Sequence, residues 1–139
     1  MDKLSIIVRS SRIFSERKLK EYDLNFSEQI IIMYLSMNDN VSQDTISRHF
    51  MIDKGMIAKT LNKLEKKGFI TRKQNPENKR ENIISLSDHG IAIIDRMGSI
   101  LSEWNEIVYD GISKEDIECV KRITKIMSEN ATRCIEPKN

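Results

Sequence analysis

Apolar residues recur at helical intervals along most of the chain, and one stretch breaks that rhythm. In residues 3 to 20, Leu4, Ile7 and Val8 share a face with Ile13 and Phe14 one or two turns on, which predicts a first amphipathic helix. Asn25 reads as an N-cap, with Glu28 three residues later closing a capping box. The helix that follows, FSEQIIIMYLSMND, is apolar almost all round and should be the most buried element. Ser42 predicts the cap of a short helix over roughly 43–51, with Asp44 in its first turn, where the helix dipole favours an acid. After a break at Met51-Ile52, Asp53 caps KGMIAKTLNKLEKKGFI. There Ile57, Leu61 and Leu64 fall at i, i+4 and i+7, and Gly68 is the natural stop.

The rhythm changes in TRKQNPENKRENIISLS. A strand should start at Ile70, turn at 75–79 through Asn-Pro-Glu-Asn, and return to about Leu86. Ser87 then caps a long helix expected to run to about Tyr109. Gly90 and Gly98 weaken it, and its apolar stripe is Ile91, Ile94, Met97, Leu101, Trp104 and Val108. Gly111 ends it. Ser113 caps a last helix, with Ile112 and Ile117 as a hydrophobic staple and Asp116 at N3. Its apolar positions are Ile117, Val120, Ile123 and Ile126 or Met127. Two short central helices with a tight connection make a helix-turn-helix, and the hairpin directly after them makes a wing. The expected fold class is mainly α (α+β): a winged helix-turn-helix with flanking N- and C-terminal helices.

Composition narrows the class. A chain of 139 residues is one ordinary domain with its own core. The longest apolar run, Ile30 to Leu35, is far too short to span a bilayer. MDKLSIIVRSSR has no apolar stretch of signal-peptide length, so an intracellular, cytoplasmic protein is expected. Cys119 and Cys134 lack CxxC spacing and fit free thiols in a reducing compartment. His49 and His89 have no paired ligand spacing, and no P-loop, G-x-S-x-G, Rossmann glycine run or H-E-x-x-H occurs. No metal, cofactor or catalytic constellation is expected.

Charge is uneven. Residues 41 to 87 hold ten Lys/Arg and five Asp/Glu, a balance of +5, while the rest hold thirteen and sixteen, a balance of −3. A basic middle third is what a polyanion binder leaves in its sequence, although solvated surface charge gives the same count. A helix-turn-helix presents its second helix to the major groove. With Ile57, Leu61 and Leu64 inward, Lys54, Gly55, Ala58, Lys59, Asn62 and Lys63 face outward; Lys54, Lys59, Asn62 and Lys63 are the candidates for the groove. Ser42, Gln43 and Thr45 at a helix start suit a phosphate, with Arg48 one turn later, and Arg72 is a further phosphate candidate. At the wing, Arg80 is the candidate for a minor groove and Lys79 for the neighbouring phosphate. The rival class is a winged-helix protein-interaction module; an enzyme is a distant third.

The segment DKGMIAKTLNKLEKKGFITRKQNPENKRENIISLSDHG resembles the recognition helix, wing and following helix entry of the MarR family of bacterial and archaeal regulators. LEKKGFI matches the helix end, and NPENKRENIISLSDHG matches a wing pattern of D-x-R, a strand and Leu-Thr-x-x-Gly. Asn78 stands where that pattern has aspartate, Arg80 matches its arginine, and Ala58-Lys59 stand where Thr-Arg is common. The resemblance implies a single domain over 1–139, with dimerisation helices at 1–23 and 88–139 and the DNA-binding region at 24–87. It also implies a homodimer on double-stranded palindromic promoter DNA, more often a repressor, relieved by a small aromatic ligand or another signal. Trp104, Tyr22 and several methionines are candidates to line such a ligand's cleft. Some members sense oxidants through cysteine; Cys119 is expected to be a buried structural thiol and Cys134 an exposed one.

Overall fold

The computed structural model describes residues 2–135. Its elements are α1 (Asp2–Lys18), a 3-10 turn (Lys20–Tyr22), α2 (Phe26–Met37), β1 (Val41–Ser42), α3 (Gln43–Phe50), α4 (Lys54–Lys66), β2 (Ile70–Gln74), β3 (Asn82–Leu86), α5 (Asp88–Ala92), α6 (Ile94–Val108) and α7 (Lys114–Ile135). The chain divides into two units, one ending at Trp104 and one beginning at Asn105. The fold class is the one the sequence predicts: mostly helical, with one small antiparallel sheet. Among the described residues, no helix is long and apolar enough to cross a membrane.

The core of the first unit gathers around α2 and α4. Ile31, Ile32 and Leu35 of α2 meet Ile57, Leu61 and Leu64 of α4, Ile46 of α3, Ile70 and Ile84 of the sheet, and Ile93, Met97 and Ile100 beyond the wing. Each such side chain contributes about 1.5–3 kcal/mol by leaving water. The helix starts follow the predicted caps. Asn25 Oδ1 accepts from Glu28 N at 3.0 Å, and Glu28 Oε2 accepts from Asn25 N at 2.9 Å, a closed capping box. Ser42 caps α3, Asp53 caps α4, Ser87 caps α5 and Ser113 caps α7.

Several expectations change. α1 stops at Lys18, and the chain leaves it through the 3-10 turn and a left-handed Asp23 (φ 52°). β1 is unforeseen. It pairs Val41 with Ile84 and Ser42 with Ile83, so the hairpin becomes a three-stranded sheet of order β1-β3-β2. Two residues carry no periodicity, and Ser42 doubles as a helix cap. The wing reversal also runs longer than expected, from 75 to 81.

The long helix expected after Ser87 is interrupted at Ile93, and its inward face matches the predicted stripe only in part, through Met97, which is buried, and Ile94, which packs on the core. Ile93, Met97 and Ile100 are buried, while Ile91 and Leu101 are exposed. The apolar residues are spread widely enough around this helix to permit either face. The core makes the choice, since Ile93, Met97 and Ile100 join its buried cluster. A Cβ at Gly90 would lie 2.1 Å from the Phe69 carbonyl oxygen, and the same oxygen accepts from Ser87 N at 3.0 Å. Gly90 is therefore a point of close approach between α5 and the residue just before β2, not merely a weak helix former. His89 stacks on the Phe69 ring at 4.4 Å between centroids. At the far end, Lys18 bonds Glu103 at 2.6 Å and Phe14 meets Trp104 at 5.5 Å, tying α1 to α6.

In the second unit, Gly111 (φ 75°) ends α6 and Ser113 starts α7. Ile112 is exposed rather than stapled down, and Ile117 is half-buried. Cys119 is half-buried, not enclosed, because its helix face is open; Arg122 Nη2 lies 3.5 Å from its sulfur. Cys134 is exposed.

Gly90→Ala should lower the unfolding free energy by about 1–3 kcal/mol, the usual cost of overpacking a tight contact. Urea denaturation reads this directly, and an unchanged midpoint would contradict the close approach.

Candidate nucleic-acid interface

The interface begins with a three-residue link, Met51-Ile52-Asp53, between α3 and α4. Met51 is left-handed (φ 51°), which turns the chain sharply. Ser47 holds the turn from both sides: its carbonyl accepts from Ile52 N at 3.2 Å, and its hydroxyl donates to Ile52 O at 2.6 Å. Tyr34 of α2 packs on His49 and Phe50 at 4.3 and 5.3 Å, holding α3 against the core. His49 is thus an aromatic packing residue, and among the described residues no group of side chains is arranged to hold a metal ion.

On α4 the inward phase is as predicted, since Ile57, Leu61 and Leu64 are buried. Lys54, Gly55, Lys59, Asn62 and Lys63 are exposed, and Ala58 is half-buried. Lys54 Nζ bonds Asp44 Oδ2 at 2.9 Å, an exposed pair between the two helices. Among the described residues, the Lys59 and Lys63 ammoniums make no ion pair. Met56, outside the sequence reading, is 59% exposed on this helix. Its signal is the core phase itself: 56 lies off the 57/61/64 face and in line with 59 and 63.

At the start of α3, Ser42 Oγ accepts from Thr45 N at 3.1 Å and lies 3.0 Å from Thr45 Oγ1. These two side chains are engaged with each other, and the unbonded donors of this turn are backbone groups. Gln43 lines a cleft of about 320 Å³ with Asp44, Asn78, Arg80, Glu81 and Asn82. The fold thereby brings the first turn of α3 beside the wing tip, thirty-seven positions on in sequence.

Asparagines build that tip. Asn75 Oδ1 accepts from Glu77 N at 3.0 Å, Asn78 Oδ1 accepts from Arg80 N at 3.2 Å, and Asn75 N donates to Glu81 O at 2.9 Å. Gln74 Nε2 donates to Lys79 O at 2.8 Å. Asn78 thus keeps the turn with its amide oxygen. The Lys79 and Arg80 side chains are exposed and, among the described residues, outside any ion pair.

Arg72 differs from its expected placement on a phosphate. Its side chain is only 18% exposed and turns onto α4, where Nη2 donates to Asn62 Oδ1 at 2.7 Å and Nε lies 3.5 Å from Glu65 Oε2. Two predicted contact residues, Arg72 and Asn62, therefore hold each other and brace the wing on the helix. The cause is register: on β2, Arg72 opposes Ile84 and shares the inward side of the strand with Ile70. Arg72→Ala should cost about 1.5–3 kcal/mol, the range for a hydrogen bond to a charged group. Hydrogen exchange should show the loss as faster exchange in β2 and β3, and unchanged wing protection would argue against the brace.

The MarR family profile matches residues 25–82, which span α2 through the wing tip. The HTH-type transcriptional regulator BilQ of Clostridioides difficile (strain CD3) is 28% identical over 116 residues, 83% of this chain and 78% of that protein. A crystal structure of MarR superposes with a TM-score of 0.88 at 30% identity, covering 96% of this chain and 90% of that one. A putative MarR family regulator from Listeria monocytogenes, solved with a 26mer DNA, shares the fold (TM-score 0.88, 21% identity, 95% of this chain and 88% of that one). The chain belongs to the MarR family, a family of transcriptional regulators and not of enzymes.

Proposed function

We propose that the protein is a homodimeric repressor that binds palindromic promoter DNA through α4 and the wing, and that a small-molecule or other signal releases it. The observation that carries this reading is the shared cleft of Gln43 and Arg80, which sets the helix-turn-helix and the wing tip on one surface. α4 lies in the major groove, with Lys59 and Lys63 exposed towards it and Lys54 held by Asp44 at its start. The start of α3, at Ser42, Gln43 and Thr45, meets a phosphate through the backbone N–H groups that the Ser42–Thr45 cap leaves unbonded. Arg80 enters the minor groove, where the potential is most negative, and Lys79 meets the adjoining backbone. Arg72 and Asn62 keep the wing and α4 in one register on the duplex.

The dimer follows from exposed apolar surface. In α1, Leu4, Ile7, Val8 and Ile13 are 42–62% exposed. In α7, Val120, Ile123, Ile126 and Met127 are 44–50% exposed. Faces of this kind are covered by a partner in a stable protein, and a second copy of the chain covers them with two-fold symmetry. Two α4 helices then meet half-sites about 34–36 Å apart, one turn of DNA. A signal acts by favouring a different spacing. A cleft of about 580 Å³ lined by Leu35, Ile83, Leu86, Ile91 and Ile94, with Lys73 and Asp95, is in the range for a small ligand. Trp104 and Tyr22 do not line that cleft: Trp104 packs on Phe14, and Tyr22 packs on the core.

Light scattering should give twice the chain mass of 16.2 kDa. A monomer persisting from micromolar to nanomolar concentration would refute the dimer. Against promoter duplex, log K should fall linearly with log salt, by about 0.9 per phosphate neutralised. Arg80→Ala should weaken binding and reduce that slope by about one. Equal affinity of wild type and variant would remove the wing from the interface, and a flat salt dependence would favour a protein partner.

A further inference from the structure

The first turn of α4 is where a recognition helix meets base edges, and its side chains are unevenly committed. Asp53 is engaged in capping, with Oδ1 accepting from Gly55 N at 2.8 Å and Met56 N at 3.3 Å. Lys54 is paired with Asp44. Gly55 has no side chain and lets the helix approach closely. Met56 is left: 59% exposed, uncharged, and the third residue of the helix. Met56, Lys59 and Lys63 recur at i, i+3 and i+7, so they form one stripe.

That stripe places a thioether beside two ammoniums that carry no internal ion pair among the described residues. The ammoniums select a polyanion as the occupant of this face. Within the major groove, the one apolar feature a base pair presents is the thymine C5-methyl. We propose that Met56 is a specificity-determining residue that packs on thymine C5-methyl groups in the major groove, an inference that rests on the DNA-binding reading above. A methionine suits this task, because three rotatable bonds and a polarisable sulfur let one side chain follow a methyl without demanding a rigid fit.

The test uses duplexes selected from a random-sequence library by the wild-type dimer. Each thymine of the selected site is replaced singly by deoxyuridine, which removes the methyl and leaves the hydrogen-bonding edge intact. Affinity is read by fluorescence anisotropy. At one or more thymines in each half-site, uracil should weaken wild-type binding about three- to four-fold, the effect of one methyl leaving an apolar contact. Met56→Ala should bind the thymine duplex more weakly by at least that factor and should not distinguish thymine from uracil at those positions. Met56→Leu should retain the distinction. Circular dichroism and thermal melting of the variants confirm that an exposed side chain was changed without unfolding. If no thymine is sensitive to uracil while binding stays selective and salt-dependent, Met56 has no such role and the DNA-binding reading survives. A Met56→Ala variant with full uracil sensitivity overturns the proposal in the same way. Equal affinity of the wild type for selected and scrambled duplexes would overturn both readings together.

Discussion

Lys67 on Glu28 is the contact around which the winged helix-turn-helix is assembled. The Glu28 side chain is fully buried, and Lys67 Nζ lies 3.0 Å from both of its oxygens. Glu28 also closes the capping box at the start of α2, and Lys67 also donates to the Asp23 carbonyl and lies 3.5 Å from Asp23 Oδ2. The pair therefore joins the first turn of α2 to the last of α4. Both helix dipoles favour it, since the carboxylate sits at a helix start and the ammonium at a helix end. Removing one partner of such a pair costs about 3–5 kcal/mol, because the other is left without compensation. Lys67 keeps an edge in solvent, which places it at the low end of that range.

From that anchor the geometry propagates along the chain. Gly68 (φ 79°) reverses direction, Phe69 enters the core, and its carbonyl receives Ser87 N where α5 comes close. β2 and β3 leave and return between those two points, and Arg72 braces them on α4. A wing on a flexible stalk would pay ordering entropy on meeting DNA; one held at its base and along one strand arrives with its direction set.

The same arrangement sorts the charges. Of the ten cations between residues 41 and 87, Lys54, Lys67 and Arg72 are in ion pairs within the fold. Lys59, Lys63, Lys79 and Arg80 are exposed outside any such pair among the described residues, and so are Arg48, Lys66 and Lys73. The unpaired positive charge of the middle third is therefore spread over α3, α4, β2 and the wing tip. The outer helices have a different surface: beside exposed charges, α1 exposes Leu4, Ile7 and Val8, and α7 exposes Val120, Ile123 and Ile126.

The local chemistry was legible in the chain. Caps at Asn25, Ser42, Asp53, Ser87 and Ser113, the 57/61/64 phase of α4 and the hairpin each depend on residues a few positions apart. A hydroxyl or carboxylate at a helix start makes its bond whatever the rest of the protein does. The MarR resemblance was legible for the same reason, because it rests on a contiguous helix-to-wing segment. What only the tertiary structure decided depends on distant partners. β1 exists because β3 lies beside it, forty residues on. The inward face of the helix after the wing was set by which residues join the core, Met97 and Ile100 rather than Leu101, and Arg72 turned onto α4 because its strand register points it there. An arginine in a basic loop looks the same in sequence whether it faces a phosphate or a neighbouring helix; side-chain direction is a property of the packed sheet, and no local pattern encodes it.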